Sequence, residues 1–294
     1  MSKYTKQNKQ SLENNKKALV DYVISQLESG TSWQKCWEGA GGLPYSASTG
    51  NRYKGGNCFY LAYTAIINGY TSSEWGTFKA WKDQGGNVMK GQKGTKIIFY
   101  KPVFKENEQG ETEVFFTVRA YTVFNRCQVA NLPEQQSEEY KAKCEGNLFD
   151  YCTNEGIEIV NTGRACYNAK DDMITLPSAY NCEARGWSTV AHEIVHSTGH
   201  KSRLSREGVT NFDSFGSHQY SYEELVAELG SMFICNDLGL ATDDSNEQSA
   251  AYCKSWIKVL KNNPDWLWKA ASEAQKACDF VIEKAKIEKI IQVA

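Results

Sequence analysis

Residues 191–200 read Ala-His-Glu-Ile-Val-His-Ser-Thr-Gly-His, and the pair His192 and His196 constrains this chain more than any other feature. The spacing predicts a helix, because residues four apart lie one turn apart on one face, where two imidazoles can reach a single tetrahedral ion. Glu193 then projects beside that face, within reach of a water on the ion rather than of the ion itself. Zinc lowers the pKa of a bound water from about 15.7 to roughly 7, and a neighbouring carboxylate can take the proton as the water attacks a carbonyl. The pattern H-E-x-x-H thus assigns His192 and His196 as metal ligands and Glu193 as general base of a hydrolytic site.

Such a site needs a third ligand. The metzincin solution places a histidine six residues after the second ligand, but that position is Ser202. His200 lies beyond the expected helix stop at Gly199, a common residue just past a helix end, and is read as lining the cleft. The gluzincin solution takes a glutamate from a later helix, and the run Ser221-Tyr222-Glu223-Glu224-Leu225-Val226-Ala227-Glu228 offers one. In this reading Glu224 binds the metal, one Zn2+ per chain, and Glu228, one turn on, accepts the free N–H of a ligand histidine. Ser221 and Glu224 also fit a capping box, in which case Glu224 satisfies backbone donors and Glu228 becomes the ligand. Tyr220 or Tyr222 is placed to donate to the oxyanion of a tetrahedral intermediate, with simple packing as the other reading.

A chain of 294 residues with 41% hydrophobic and 23% charged residues has the balance of a soluble globular protein of two ordinary domains. It opens with no secretory pattern and holds no apolar run of membrane-spanning length, so a cytoplasmic protein without a membrane partner is expected. The 10 cysteines are scattered without a C-x-x-C pair, which excludes a zinc ribbon and a thioredoxin-like motif and leaves buried thiols. Cys166 and Cys182 flank the proposed site. The near-neutral net charge of −2 hides an asymmetry: residues 1–130 hold 17 Lys and Arg against 10 Asp and Glu, and residues 131–294 hold 16 against 25. A basic half joined to an acidic half suggests a nucleic-acid-binding module attached to something else.

Periodicity predicts an α+β chain: a mixed α/β domain over 1–135, a linker over 136–150, and a mostly helical domain with a small hairpin over 151–294. In the first part, helices are expected at 12–27, 58–68 and 77–83 and strands at 96–104 and 112–124, with residues 31–57 as loop. In the second, a hairpin over 164–168 and 173–176 precedes the H-E-x-x-H helix, and helices follow near 221–238, 248–261 and 265–290. An exposed edge of such a hairpin suits an extended peptide substrate, whose backbone it can hydrogen-bond.

Of the 36 aromatic residues, 20 lie in residues 1–130, interleaved with cations. Bases stack on aromatic faces at about 1 to 3 kcal/mol each while lysine and arginine follow the phosphates, so this composition points to single-stranded DNA. The candidate contacts are Trp33, Lys35, Trp37, Arg52, Tyr53, Lys54, Asn57, Trp75, Lys79, Trp81, Lys90, Lys93 and Lys96. For any one of these aromatics, a place in the core of a small domain is the competing reading. No helix-turn-helix or zinc-finger signature of a duplex reader is present.

Taken together the motifs resemble the ArdC family of antirestriction proteins. The N-terminal likeness rests on Trp33 and Trp37, Tyr53-Lys54-Gly55-Gly56-Asn57, Trp75-Gly76-Thr77-Phe78-Lys79, and Gly85-Gly86-Asn87-Val88 followed by Lys90-Gly91-Gln92-Lys93-Gly94. The C-terminal likeness rests on His192-Glu193-x-x-His196-x-x-Gly199-His200-Lys201-Ser202-Arg203-Leu204 and Glu223-Glu224-Leu225-Val226-Ala227-Glu228-Leu229. Where similar proteins carry Pro-Trp and Asn near the N-terminus, this chain has Cys36-Trp37 and Tyr45. The resemblance implies an N-terminal single-stranded-DNA-binding domain, a C-terminal zincin-like metallopeptidase domain, carriage on a plasmid or other mobile element, and protection of DNA from restriction. The peptidase substrate would then be a host restriction protein or another protein. In the alternative reading the protein is a non-enzymatic DNA shield with a structural or vestigial zinc site.

Overall fold

The apolar spacing of Leu19, Val20, Val23, Ile24 and Leu27 does make a helix, α1 (Lys3–Glu28), which starts closer to the N-terminus than the periodicity indicated. Those five side chains are buried, and α1 packs on α8 (Ser249–Asn262), far along the chain. The structure is a computed structural model that describes residues 3–30, 42–106, 112–133, 143–145, 147–177, 186–211, 218–240 and 249–290. Trp33, Lys35, Trp37 and Cys182 lie outside the described residues.

The chain divides into two compact units, one of Met1–Glu38, Lys54–Gly56 and Ser137–Ala294, the other of Gly39–Tyr53 and Asn57–Gln136. Helix α1 belongs with the later segment because its apolar face is buried there. Residues 54–56 belong there too: a Cβ at Gly56 would fall 2.0 Å from Trp268 Cε3, and Lys54 Nζ lies 2.9 Å from both carboxylate oxygens of Asp279. The expected linker contributes structure of its own, since β7 (Lys143–Glu145) pairs antiparallel with β11 (Glu288–Ile290).

The smaller unit is a four-stranded sheet in the order β1-β2-β5-β4, with β1 (Tyr45–Ser46), β2 (Glu74–Thr77), β4 (Thr95–Glu106) and β5 (Thr112–Asn125). Strands β4 and β5 form one long antiparallel hairpin, Thr95 opposite Val123 and Glu106 opposite Thr112. Helix α2 (Gly56–Ile67) buries Phe59, Leu61 and Ala65. The one-and-a-half-turn α3 (Phe78–Asp83) starts at Thr77, whose hydroxyl accepts from the Ala80 N–H as an N-cap. A short antiparallel pair, β3 (Asn87–Val88) with β6 (Val129–Ala130), closes the unit.

In the larger unit, α4 (Leu148–Glu155) ends on left-handed Gly156 and leads into a three-stranded sheet ordered β8-β10-β9. Strand β10 (Met173–Leu176) runs parallel to β8 (Glu158–Asn161) and antiparallel to β9 (Cys166–Asn168), which leaves β9 as an edge. The expected hairpin is therefore part of a mixed sheet. Helices α5 (Trp187–Thr198), the one-turn α6 (Glu207–Thr210), α7 (His218–Leu238), α8 and α9 (Trp266–Lys284) complete it. Helix α7 is buried along most of its length and packs on α5, α6, α8 and α9, as a helix with apolar residues on several faces must. The last helix stops well short of residue 290, because Lys286 adopts φ 54° and the chain turns into β11.

Candidate metal centre

Helix α5 places His192 and His196 one turn apart, and α7 crosses it closely. At the crossing a Cβ on Gly230 would lie 2.7 Å from Val195 Cγ2, so glycine there sets the approach of the two backbones. The hydroxyl of Ser231 donates to the Ser188 carbonyl at 2.6 Å and fixes the register. Gly199 caps α5 with φ −77°, in the right-handed region, so what it supplies is space: a Cβ would stand 2.5 Å from Val209 Cγ2 and 3.0 Å from Arg206 Nη2.

The close crossing brings Glu224 to both histidines. Its Oε2 lies 3.3 Å from His192 Nε2 and its Oε1 3.4 Å from His196 Nε2, while the two Nε2 atoms are 3.1 Å apart. His192, His196 and Glu224 each offer one ligand atom within 4.8 Å of the others, and they form the one such triad among the described residues. Ser221 sits inside α7 rather than at its start, so the capping-box arrangement does not form.

Each ring also has a carboxylate behind it. His192 Nδ1 lies 3.5 Å from Glu228 Oε2, and His196 Nδ1 lies 3.3 Å from Glu223 Oε1. A carboxylate on Nδ1 holds the N–H there and turns the Nε2 lone pair toward the shared point, the tautomer a metal ligand needs. Glu223 is itself clamped by Arg206, which donates from Nε at 3.0 Å and from Nη2 at 2.6 Å, and also to Thr198 Oγ1 and the Val195 carbonyl. The side chains of Glu223 and Arg206 are only 3% and 6% exposed, so this is a buried ion pair inserted between α7 and the end of α5.

The electrostatics follow from this crowding. Burial depresses the pKa of His192, but Glu224, Glu228 and Glu193 outweigh it and hold the ring well above an ordinary imidazole. Burial likewise opposes charge on His196, yet Glu224 and Glu223 raise it to about 9. Burial works against ionised Glu223 and Glu224, but Arg206 and His196 hold the first, and the two histidines the second, below the usual carboxylate range. The donor set of two imidazoles and an anionic carboxylate, oriented from behind, fits a divalent cation.

Glu193 is 8% exposed and near enough to influence the charge of both His192 and Cys166. Cys166 opens the edge strand β9, which packs on α5 and whose outer edge pairs with no other strand among the described residues. Arg203 anchors this hairpin: it donates to the Ser197 carbonyl, to both oxygens of Asp172 and to the Tyr167 hydroxyl. His200 stands outside the triad, its Nδ1 2.7 Å from Ser202 Oγ. Tyr222 packs edge to face on Trp266, with centroids 4.9 Å apart, and Tyr220 is half-buried in the first turn of α7. The pairing of Glu223 with Arg206 was not read from the sequence.

The structure separates enclosed candidate contacts from exposed ones. Trp75 and Trp81 are fully buried and Tyr53 and Arg52 nearly so; Trp81 Nε1 donates to the Phe124 carbonyl and Tyr53 to the Trp75 carbonyl. They are core, since a ring enclosed in a domain has no face left for a base. Asn57 accepts from Ile98 N–H and donates to Ile98 C=O, sealing the outer edge of β4. Lys54 lies in the larger unit. Lys79, Lys90, Lys93 and Lys96 are exposed.

The fold and donor set define a two-part protein whose later unit is a zincin-like metallopeptidase domain, and residues 148–273 match the family model of that description. Residues 13–124 match the N-terminal domain of the anti-restriction factor ArdC. The chain belongs to the ArdC family of antirestriction proteins. Crystal structures of the antirestriction ArdC protein from plasmid R388, metal-free and Mn(II)-bound, superpose with a TM-score of 0.69 at 36% and 35% identity, covering 92% of this chain and 97% of theirs. Two DNA primase TraC chains of Escherichia coli are each 33% identical over 90% of this chain, which spans only 19% and 26% of their length.

Proposed function

We propose that this antirestriction protein joins a single-stranded-DNA-binding unit to a metallopeptidase centre in which His192, His196 and Glu224 hold one divalent cation, with zinc suited by ligand type. The observation that carries the reading is the convergence of both Nε2 atoms on one carboxylate, with each Nδ1 against a second carboxylate. A bound ion there supplies Lewis acidity. Glu193 is the general base, accepting the proton of the water that attacks the scissile carbonyl. Glu228 and Glu223 orient the two imidazoles, and Arg206 holds Glu223. An extended peptide can pair with the open edge of β9, which delivers its carbonyl beside Glu193.

DNA binding is supported by the exposed lysines of the smaller unit and by its family match. Protection of DNA carried by a mobile element, with a restriction protein as the peptide substrate, completes the reading. The test of catalysis is Glu193→Gln. The variant is expected to keep its metal and to lose hydrolysis of an unfolded protein substrate such as reduced casein. Hydrolysis unchanged in Glu193→Gln would remove the general base. Absence of hydrolysis by the metal-loaded wild type, with DNA binding intact, would favour the shield reading, in which the centre is structural.

A further inference from the structure

Burial of Trp75, Trp81 and Tyr53 removes three of the rings that the sequence offers for base stacking, yet among the described residues of the smaller unit one pair of neighbouring aromatics faces solvent. Along one face of the β4–β5 hairpin, Ile97 and Val123 are 2% and 1% exposed, whereas Phe99 and Tyr121, next on the same face, are 44% and 41% exposed. Ile97 pairs with Tyr121 and Phe99 with Arg119, so these four residues share a face and the two rings are diagonal neighbours. Their centroids are 5.3 Å apart at 88°. An edge-to-face pair engages the face of only one of its two rings.

The surroundings are cationic. Arg119 is exposed directly opposite Phe99 on the same face; Lys96 is exposed on the other face of β4, and Lys90 and Lys93 are exposed in the turn that leads into the strand. From Thr95 to Phe99 and from Arg119 to Val123, no residue is acidic. Exposed rings with an arginine opposite them match a ligand that alternates flat bases with phosphates. Only a single strand presents free base faces, because a duplex turns them inward.

On the single-strand reading above, we propose that Phe99 and Tyr121 form the base-stacking platform of the smaller unit, with Arg119 holding the adjacent phosphate. The platform lies on the hairpin face and uses neither of the buried tryptophans Trp75 and Trp81. The sheet supplies its rigidity: Asn57 fixes the Ile98 backbone between Ile97 and Phe99.

The test is equilibrium binding of a fluorescent oligothymidylate to the full chain across a salt series. The proteins compared are the wild type, Phe99→Ala, Tyr121→Ala, the double variant, Arg119→Gln, and Phe78→Ala as an exposed aromatic outside the hairpin. Each platform alanine is expected to weaken binding about fivefold or more, from the range for one stacked base, with an unchanged salt slope. Arg119→Gln is expected to reduce that slope by about one contact, and Phe78→Ala to bind as the wild type does. Wild-type binding with an unaffected double variant overturns the platform and leaves the single-strand reading standing. A wild type that does not bind overturns both. A double variant that binds DNA normally but changes oligomeric state would make this face a contact between copies. Thermal unfolding of each variant checks that losses do not come from misfolding.

Discussion

Glu223 and Glu228 play parallel parts toward the two histidines but differ in what else depends on them, and this difference can be measured. Replacing either by glutamine removes the anionic acceptor behind an imidazole, and loss of such an outer partner typically weakens metal affinity about 10- to 100-fold. Stability should separate them. Glu228 has 14% of its side chain exposed and, among the described residues, forms an ion pair with His192 alone, so Glu228→Gln should cost no more than about 1 kcal/mol. Glu223 is 3% exposed and carries the charge that neutralises Arg206. Glu223→Gln therefore strands a buried guanidinium, a loss of about 3 to 5 kcal/mol. Arg206→Met should cost a similar amount by stranding Glu223. The double variant Glu223→Gln/Arg206→Met should recover much of the stability, because the buried pair is removed together, but none of the metal affinity. Denaturant unfolding in the presence of a chelator reads the first quantity, and competition with a metal-binding dye reads the second. A Glu223→Gln variant as stable as Glu228→Gln, or single-variant costs that simply add in the double, would refute the buried-clamp argument.

Two further expectations follow from packing. Gly230→Ala inserts a methyl 2.7 Å from Val195 Cγ2, so it should cost about 1 to 3 kcal/mol and also weaken metal binding by moving α7 off α5; unchanged unfolding would show that the two helices can part freely. Burial pushes the thiols of Cys152 and Cys235 up to about 12, so both should resist alkylation in the native protein, as read by peptide mapping. Because these folded values are raised, their contribution to stability is complete below the unfolded thiol value of about 8.5 and is lost as pH rises through the folded one. Unfolding free energy should therefore fall above about pH 9, and a rise would contradict the burial argument.

Local patterns carried the site further than they carried the domain. His192, Glu193 and His196 are legible because a single helical turn defines their geometry, and Glu224 and Glu228 because the same spacing recurs on α7. Arg206 is not legible: it reaches Glu223 across a loop, through space that Gly199 leaves open, and no periodicity records that approach. The aromatic residues show the opposite limit. Composition counts Trp75 and Phe99 alike, but one is enclosed and the other faces solvent, and only the register of β4 against β5 tells which end of the hairpin leaves the core. Helix α1 was visible as a helix, whereas its partner α8 lies more than two hundred residues away and had to come from tertiary packing.

The central claim is that one cation is held by His192, His196 and Glu224, and it is tested most directly by elemental analysis of the full chain purified from saturating zinc or manganese. The wild type should carry one ion per chain, Glu228→Gln should carry it as well under saturation, and Glu224→Gln should carry none. A full ion in Glu224→Gln, or loss in Glu228→Gln alone, would contradict the account and move the third ligand to Glu228.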